Sequence, residues 1–208
     1  MTEEPKRIAG SRSDLVLASG STIRAQLLCR AAVPFLQDPP EIDEAAAKAA
    51  LCQAGAKADE AALELARLKA MAVCPRHPNR IVLGTDQLLI CEGEWLDKPG
   101  SRARAFEQLE RLSGRRHTLA TALILLRAGR PVWSHLETPE VQMRQLTTGL
   151  ITAYLDVAGE SALQSVGAYQ LEGPGAQLLE SITGDVFAVL GLPMLPLLAA
   201  LRREGLLP

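Results

Sequence analysis

Aromatic side chains are scarce, with two tryptophans, two tyrosines and three phenylalanines in 208 residues, so few ring faces exist on which the bases of a nucleic acid could stack. An excess of charge is lacking as well. Lysine and arginine number 22 against 24 aspartates and glutamates, a net charge of -2 that provides no basic surface for a polyanion. Nucleic acid polymers are thereby excluded as partners. The four cysteines, Cys29, Cys52, Cys74 and Cys91, form no C-x-x-C pair, which removes a zinc site and a disulfide framework. Free thiols are expected, three of them sitting among alanine, leucine or isoleucine as small hydrophobes do. No apolar run is long enough for a membrane: residues 186–201 are interrupted by Gly191, Pro193 and Pro196, and residues 1–14 are polar rather than a signal core. A cytoplasmic chain with no membrane partner is expected. G-x-S-x-G, Walker A and G-x-G-x-x-G are all absent, and His77, His117 and His135 accompany no nucleophile motif, which predicts structural or exposed histidines.

What is present is a large apolar fraction, 48% of residues, enough to build the core of one large domain. Its first run, Leu15-Val16-Leu17-Ala18, breaks into Ser19-Gly20-Ser21 and opens a helix predicted to reach about Ala31. The unpaired N–H groups and the dipole at such a helix start favour an anion and disfavour a cation such as Arg24, so an arginine in that first turn points to an anionic partner. An ordinary Ser21 N-cap with Arg24 in water is the competing reading. A short strand and turn over residues 34–40 follow, then helices over 45–53 and 59–73, rich in alanine and leucine and stopped by Pro75 and Pro78. Ile81-Val82-Leu83 and Leu88-Leu89-Ile90 read as strand on either side of an interruption at Gly84-Thr85-Asp86-Gln87, with a hairpin turn near Glu92-Gly93. Ser101 caps a helix to Leu112. Residues 117–126 and 132–146 read as a hairpin about Ala128-Gly129-Arg130, and Thr147 or Thr148 caps a helix to Val157. Residues 176–190 are predicted as a second hairpin turning at Thr183-Gly184-Asp185, and residues 193–203 as a closing helix. Helices interspersed with strands predict an α/β fold with a mixed sheet, in a single domain over residues 1–208 with a candidate hinge at Leu112-Ser113-Gly114.

Some charged residues stand where charge is costly. Lys69 has Leu65, Ala66, Ala72 and Val73 as its helical neighbours, which makes it either a side chain snorkelling from the edge of the buried stripe or one facing an anion. Asp86 lies between apolar runs, as a turn former or as a carboxylate balanced by a metal or cation. Lys98-Pro99 ends the next hairpin. Glu41, Asp43 and Glu44 complement a helix start or serve a metal. Together these supply acids for a divalent cation, three basic groups for phosphate charge and a hydroxyl-rich loop. Cleavage of a polyphosphate needs that set, because phosphoryl and nucleotidyl transfer consist mainly of positioning and charge neutralisation.

These residues resemble the Maf family of nucleoside triphosphate pyrophosphatases from Leu15 to the end of the chain. Leu17-Ala18-Ser19-Gly20-Ser21-Thr22-Ile23-Arg24 is similar to its opening L-A-S-x-S-P-R-R, and Asp43-Glu44 to its acidic pair. Lys69-Ala70, Gly84-Thr85-Asp86-Gln87, Gly93-Glu94-Trp95-Leu96-Asp97-Lys98-Pro99, Leu112-Ser113-Gly114, Gly167-Ala168-Tyr169 with Glu172-Gly173, Gly184-Asp185 and Gly191-Leu192-Pro193 follow in family order. The resemblance implies an elongated mixed sheet flanked by helices, with two lobes around a central cleft. It also implies hydrolysis of a nucleoside triphosphate between its α and β phosphates with a divalent metal cation, Mg²⁺ or Mn²⁺. Members are often dimeric, which makes a homodimer one expectation. Carried over by position, Asp86 accepts a proton from water or holds the metal, Glu44 assists at the metal, and Ser19, Ser21, Arg24, Lys69 and Lys98 bind the triphosphate.

Relatives acting on dTTP and UTP usually carry arginine at the place of Ile23, threonine at that of Gln87 and glutamine at that of Glu172. The branch resembling 7-methyl-GTP pyrophosphatases has Gln and Glu at the last two, as here, and ends in a segment like Leu201-Arg202-Arg203-Glu204-Gly205. Glu172 can accept from a guanine N1–H and exocyclic amine, an edge that uracil and thymine lack. Ile23 departs from the aromatic usual in that branch and offers an apolar contact only. Thr22 replaces the common proline, and Ser165-Val166 the usual residue before the Gly-Ala-Tyr segment. The expected substrate is thus a modified purine triphosphate such as 7-methyl-GTP, with dTTP or UTP as the alternative. A nucleotide-binding regulator of cell division would need cations but no water-activating carboxylate, so Asp86 together with Lys98 argues for turnover.

Overall fold

The structure, a computed structural model, describes residues 14–208; the polar start read from the first thirteen positions lies outside the described residues. Among the described residues eight strands, β1 (Leu15–Ala18), β2 (Leu36–Gln37), β3 (Ile81–Cys91), β4 (Glu94–Leu96), β5 (Arg116–Arg127), β6 (Arg130–Glu137), β7 (Glu140–Met143) and β8 (Leu179–Thr183), form one open mixed sheet in the order β2-β1-β3-β5-β7-β8, with β4 paired to β3 and β6 to β5. The chain divides into two compact units, the first comprising residues up to Asp86 with Thr121–Leu136 and Gly191–Pro208, the second Gln87–Ala120 with Glu137–Leu190.

In the first unit, β1 (Leu15–Ala18) is buried along its whole length and lies parallel to both β2 (Leu36–Gln37) and β3 (Ile81–Cys91). Parallel neighbours need crossovers, which the helices α1 (Thr22–Arg30), α2 (Glu44–Gln53) and α3 (Ala58–Val73) provide. Helix α3 holds its alanine- and leucine-rich face inward, burying Ala61, Leu65, Ala66, Lys69, Ala70 and Val73 at helical spacing. Its packing against β3 is unusually close at Gly84, where a Cβ would stand 2.1 Å from the Ala66 carbonyl oxygen and 2.8 Å from the Ala70 Cβ. Only glycine fits. The interruption predicted at Gly84-Thr85-Asp86-Gln87 is absent, and the strand continues through it, because Gly84 seats the helix instead of making a turn. Strands β5 (Arg116–Arg127) and β6 (Arg130–Glu137) join through Ala128 and Gly129, both at positive φ, as a two-residue hairpin requires. Helix α8 (Met194–Arg203) closes the chain.

The second unit has its own core, in which Leu89, Leu109, Leu112, Val141, Ile151 and Leu155 are sealed from water. It contains β4 (Glu94–Leu96), α4 (Arg102–Leu112), β7 (Glu140–Met143), α5 (Thr148–Ala158), the short α6 (Glu160–Leu163), β8 (Leu179–Thr183) and the short α7 (Val186–Val189). Ser101 and Thr147 cap α4 and α5 as expected, each accepting from the backbone N–H three residues on. The Leu112-Ser113-Gly114 turn lies inside this unit.

Two further strand expectations fail. The long strand expected over residues 132–146 is two strands, since it parts around Thr138 and Pro139, and a proline has no N–H for a ladder. The second hairpin is also absent: β8 pairs antiparallel with β7, and the apolar run after Gly184 is helical because Asp185 accepts from the Phe187 N–H at 2.8 Å and starts α7. All four cysteines are free as expected, but Cys29 and Cys52 are exposed on α1 and α2, and only Cys74 and Cys91 behave as buried hydrophobes. No helix among the described residues is long and apolar enough to cross a membrane.

Candidate active site

The parallel strands β1 and β3 run side by side, with Ala18 opposite Gly84, so the loop that leaves β1 starts beside the Thr85-Asp86 stretch of β3. That placement brings Ser19 near Asp86. Ser21 has the extended backbone of an N-cap and its Oγ accepts from the Arg24 N–H at 3.5 Å, while Ser19 Oγ accepts from the Ser21 N–H at 3.2 Å. The capping reading of Ser21 therefore holds. Arg24 nonetheless does not point into water: its Nε donates to the Gly191 carbonyl at 2.9 Å, and its Nη1 to Ser19 Oγ at 3.3 Å and the Thr85 carbonyl at 3.5 Å. Burial pulls the Arg24 guanidinium below the usual pKa of an arginine, and the charges of Asp86 and Glu44 pull it back up.

Lys69 lies within the buried stripe of α3, only 6% exposed, and does not snorkel. Its Nζ donates to Asp86 Oδ1, itself on a residue 3% exposed, and pairs with Glu44 Oε2 at 2.8 Å. A buried lysine and a buried aspartate are tolerable because each supplies the charge that water no longer screens. Glu44 comes from the first turn of α2, whose N-cap Asp43 accepts from the Ala46 N–H at 2.9 Å, and its side chain stays half exposed. Two carboxylates thus face one ammonium, with an arginine at the neighbouring helix start. Among the described residues no group of three or more histidine, cysteine or acidic side chains could hold a metal ion. Asp86 and Glu44 form a two-carboxylate oxygen set, which suits a hard cation that takes its remaining ligands from phosphate and water.

Ser19, Ser21 and Arg24 thus form one hydrogen-bonded cluster and Glu44, Lys69 and Asp86 another, both within the first unit, and the charges of Asp86 and Glu44 act on Arg24. Ile23 stands beside Arg24 on α1, partly buried. Gln87, Lys98 and Glu172 belong to the second unit. The Gln87 Nε2 donates to the Ala188 carbonyl at 2.8 Å and the Val189 carbonyl at 3.3 Å; Lys98 is exposed after β4, and Glu172 is exposed in the turn at residues 171–173. Three contributors were missed as site residues. The Gly191 carbonyl accepts from both Arg24 and Thr85 Oγ1, the Thr85 carbonyl accepts from Arg24, and Gln37 Nε2 donates to the Ser19 carbonyl at 2.9 Å. Gly191 and Thr85 lie in motifs already noticed, but their carbonyls carry no signal of residue type, and Gln37 has no signal at all.

A hydroxyl loop and arginine at a helix start, beside paired acids and a buried lysine, define an α/β protein that handles an anionic, phosphate-like group. The chain belongs to the Maf family: the model of that family, described as "Maf-like protein", matches residues 14–204. It is 45% identical over 193 residues to the nucleoside triphosphate pyrophosphatase of Rhodospirillum rubrum, covering 93% of this chain and 96% of that one. It is 45% identical over 190 residues to the 7-methyl-GTP pyrophosphatase of Brucella abortus, covering 91% and 96%. With the 7-methyl-GTP pyrophosphatase of Rhizobium etli the identity is 47% over 191 residues, covering 92% and 96%.

Proposed function

We propose that this chain is a nucleoside triphosphate pyrophosphatase that cleaves the bond between the α and β phosphates, giving a nucleoside monophosphate and pyrophosphate. The observation that carries this reading is the buried Lys69 shared by Asp86 and Glu44, next to the Ser19–Arg24 helix start. The backbone and hydroxyls of Ser19 and Ser21, with the positive end of α1, bind phosphate oxygens. Arg24, steered by the Gly191 carbonyl, adds fixed positive charge there. Lys69 fixes the Asp86 carboxylate in place by donating to its Oδ1, and Asp86 takes the proton from the attacking water. Asp86 and Glu44 would hold Mg²⁺ or Mn²⁺. Such an ion would neutralise charge developing on the phosphate oxygens. Lys98 joins the triphosphate set, and Ile23, Gln87 and Glu172 the base-reading set, on the motif match alone.

The base we favour is a modified purine such as 7-methyl-GTP, because Glu172 offers acceptors for the N1–H and amine of a guanine. The homodimer is proposed on the family resemblance. Purified protein with Mg²⁺ is expected to release pyrophosphate, not orthophosphate, and to prefer 7-methyl-GTP over UTP and dTTP. Orthophosphate as the first product would sink the reaction assignment. Glu172→Gln should narrow the preference for 7-methyl-GTP over UTP, and unchanged relative kcat/KM values would remove Glu172 from base reading.

A further inference from the structure

Helix α3 and the turn that follows it grip the segment between β2 and α2 at both ends. At one end Lys69 holds Glu44. At the other, the Arg76 guanidinium forks onto Asp38, Nε donating to Oδ2 and Nη2 to Oδ1, each at 2.9 Å. The Nη2 also donates to the Pro39 carbonyl at 3.2 Å, and His77 Nε2 lies 2.8 Å from Asp38 Oδ2. Asp38 itself continues the β2 register, its N–H donating to the Leu17 carbonyl at 3.0 Å. Pro39 and Pro40 then fix φ at two successive positions, so the segment is stiff and passes on the placement of its anchored end. Pro39 also backs the hydroxyl loop, since a Cβ on Gly20 would stand 3.8 Å from it.

We propose that Asp38 and Arg76 are positioning residues for the reaction: their two-point ion pair fixes residues 38–44, and through them the Glu44 carboxylate and the back of the Ser19–Ser21 loop. The proposal rests on the reading of Glu44 given above. A fork suits this task better than a point charge, because it fixes orientation as well as distance. The pair is partly open to water, with side-chain exposures of 40% for Arg76 and 26% for Asp38, so the fold does not depend on it.

The test compares Arg76→Ala, the charge-exchanged double variant Asp38→Arg with Arg76→Asp, and Glu44→Gln in the full chain. Arg76→Ala should lower kcat about ten-fold, as small misplacements of reacting groups do, with the thermal midpoint little changed. Amide exchange at residues 41–46 should speed up at least about ten-fold while that of the α3 interior stays the same, and the exchanged pair should regain part of both. Normal kcat or unaltered exchange in Arg76→Ala, with Glu44→Gln impaired, would overturn the clasp and leave the site reading standing. Normal kcat in Glu44→Gln would overturn that reading and the clasp with it.

Discussion

Lys69 and Asp86, seventeen residues apart in the chain, form an ion pair sealed from water, with helix α3 supplying the ammonium and strand β3 the carboxylate. Glu44 is the second acid on the same ammonium but keeps one face in solvent. The two carboxylates therefore differ in kind: the buried one is suited to proton transfer, the open one to meeting an ion from solution.

Asp86→Asn keeps the shape of the side chain and removes its ability to take a proton. Turnover measured by pyrophosphate release should fall about 100-fold or more, the usual range for a general base, with the protein still folded. A rate within a few-fold of the parent would take Asp86 out of the chemistry.

Lys69→Met leaves the Asp86 carboxylate buried without its counter-charge, which should cost about 3–5 kcal/mol of stability in urea unfolding. Adding Asp86→Asn to Lys69→Met should restore much of that loss, because the stranded charge is then gone. Strictly additive effects would show that the pair is not coupled.

Gly84→Ala places a methyl group 2.1 Å from the Ala66 carbonyl oxygen, so α3 must move outward and carry Lys69 with it. Overpacking of this kind costs about 1–3 kcal/mol or more, a fall of several degrees in thermal midpoint for a chain of this size, and activity should drop alongside. Unchanged melting and turnover would contradict the close approach of helix and strand.

His117 is buried in the second unit, its Nε2 2.8 Å from the Tyr169 hydroxyl and its Nδ1 without a partner among the described residues, and burial pushes its pKa from 6.5 down to about 4. Between those values the unfolded chain binds a proton there that the native ring refuses. Stability from this group is therefore full above about pH 6.5 and decreases as the pH falls toward 4, by up to about 3 kcal/mol. Urea midpoints of His117→Gln should fall less between pH 7 and 4.5 than those of the parent; equal falls would show that His117 is not the titrating group.

Much of the first unit could be read directly. The run Leu15-Val16-Leu17-Ala18, the Ser21 cap and the alanine-rich α3 are local patterns whose periodicity and capping chemistry act within a few residues, and they appear where expected. Reading failed where a distant partner outweighs the local preference. Gly84-Thr85-Asp86-Gln87 has the composition of a turn yet runs straight, because its glycine is needed against Ala66. Val186-Phe187-Ala188-Val189 has the composition of a strand yet coils behind Asp185.

By itself the sequence determined the residue types of the site and the order in which the chain presents them, since charge among apolar neighbours is costly enough to betray itself in one dimension. Tertiary structure alone decided which of those charges meet. Lys69 could have escaped to solvent, and Arg24 could have faced water. What turned the first onto Asp86 and Glu44 and the second onto the Gly191 and Thr85 carbonyls was the parallel pairing of β1 with β3 and the close seat of α3 at Gly84. Those contacts join segments far apart in the chain, and no local pattern of residues encodes such a distance.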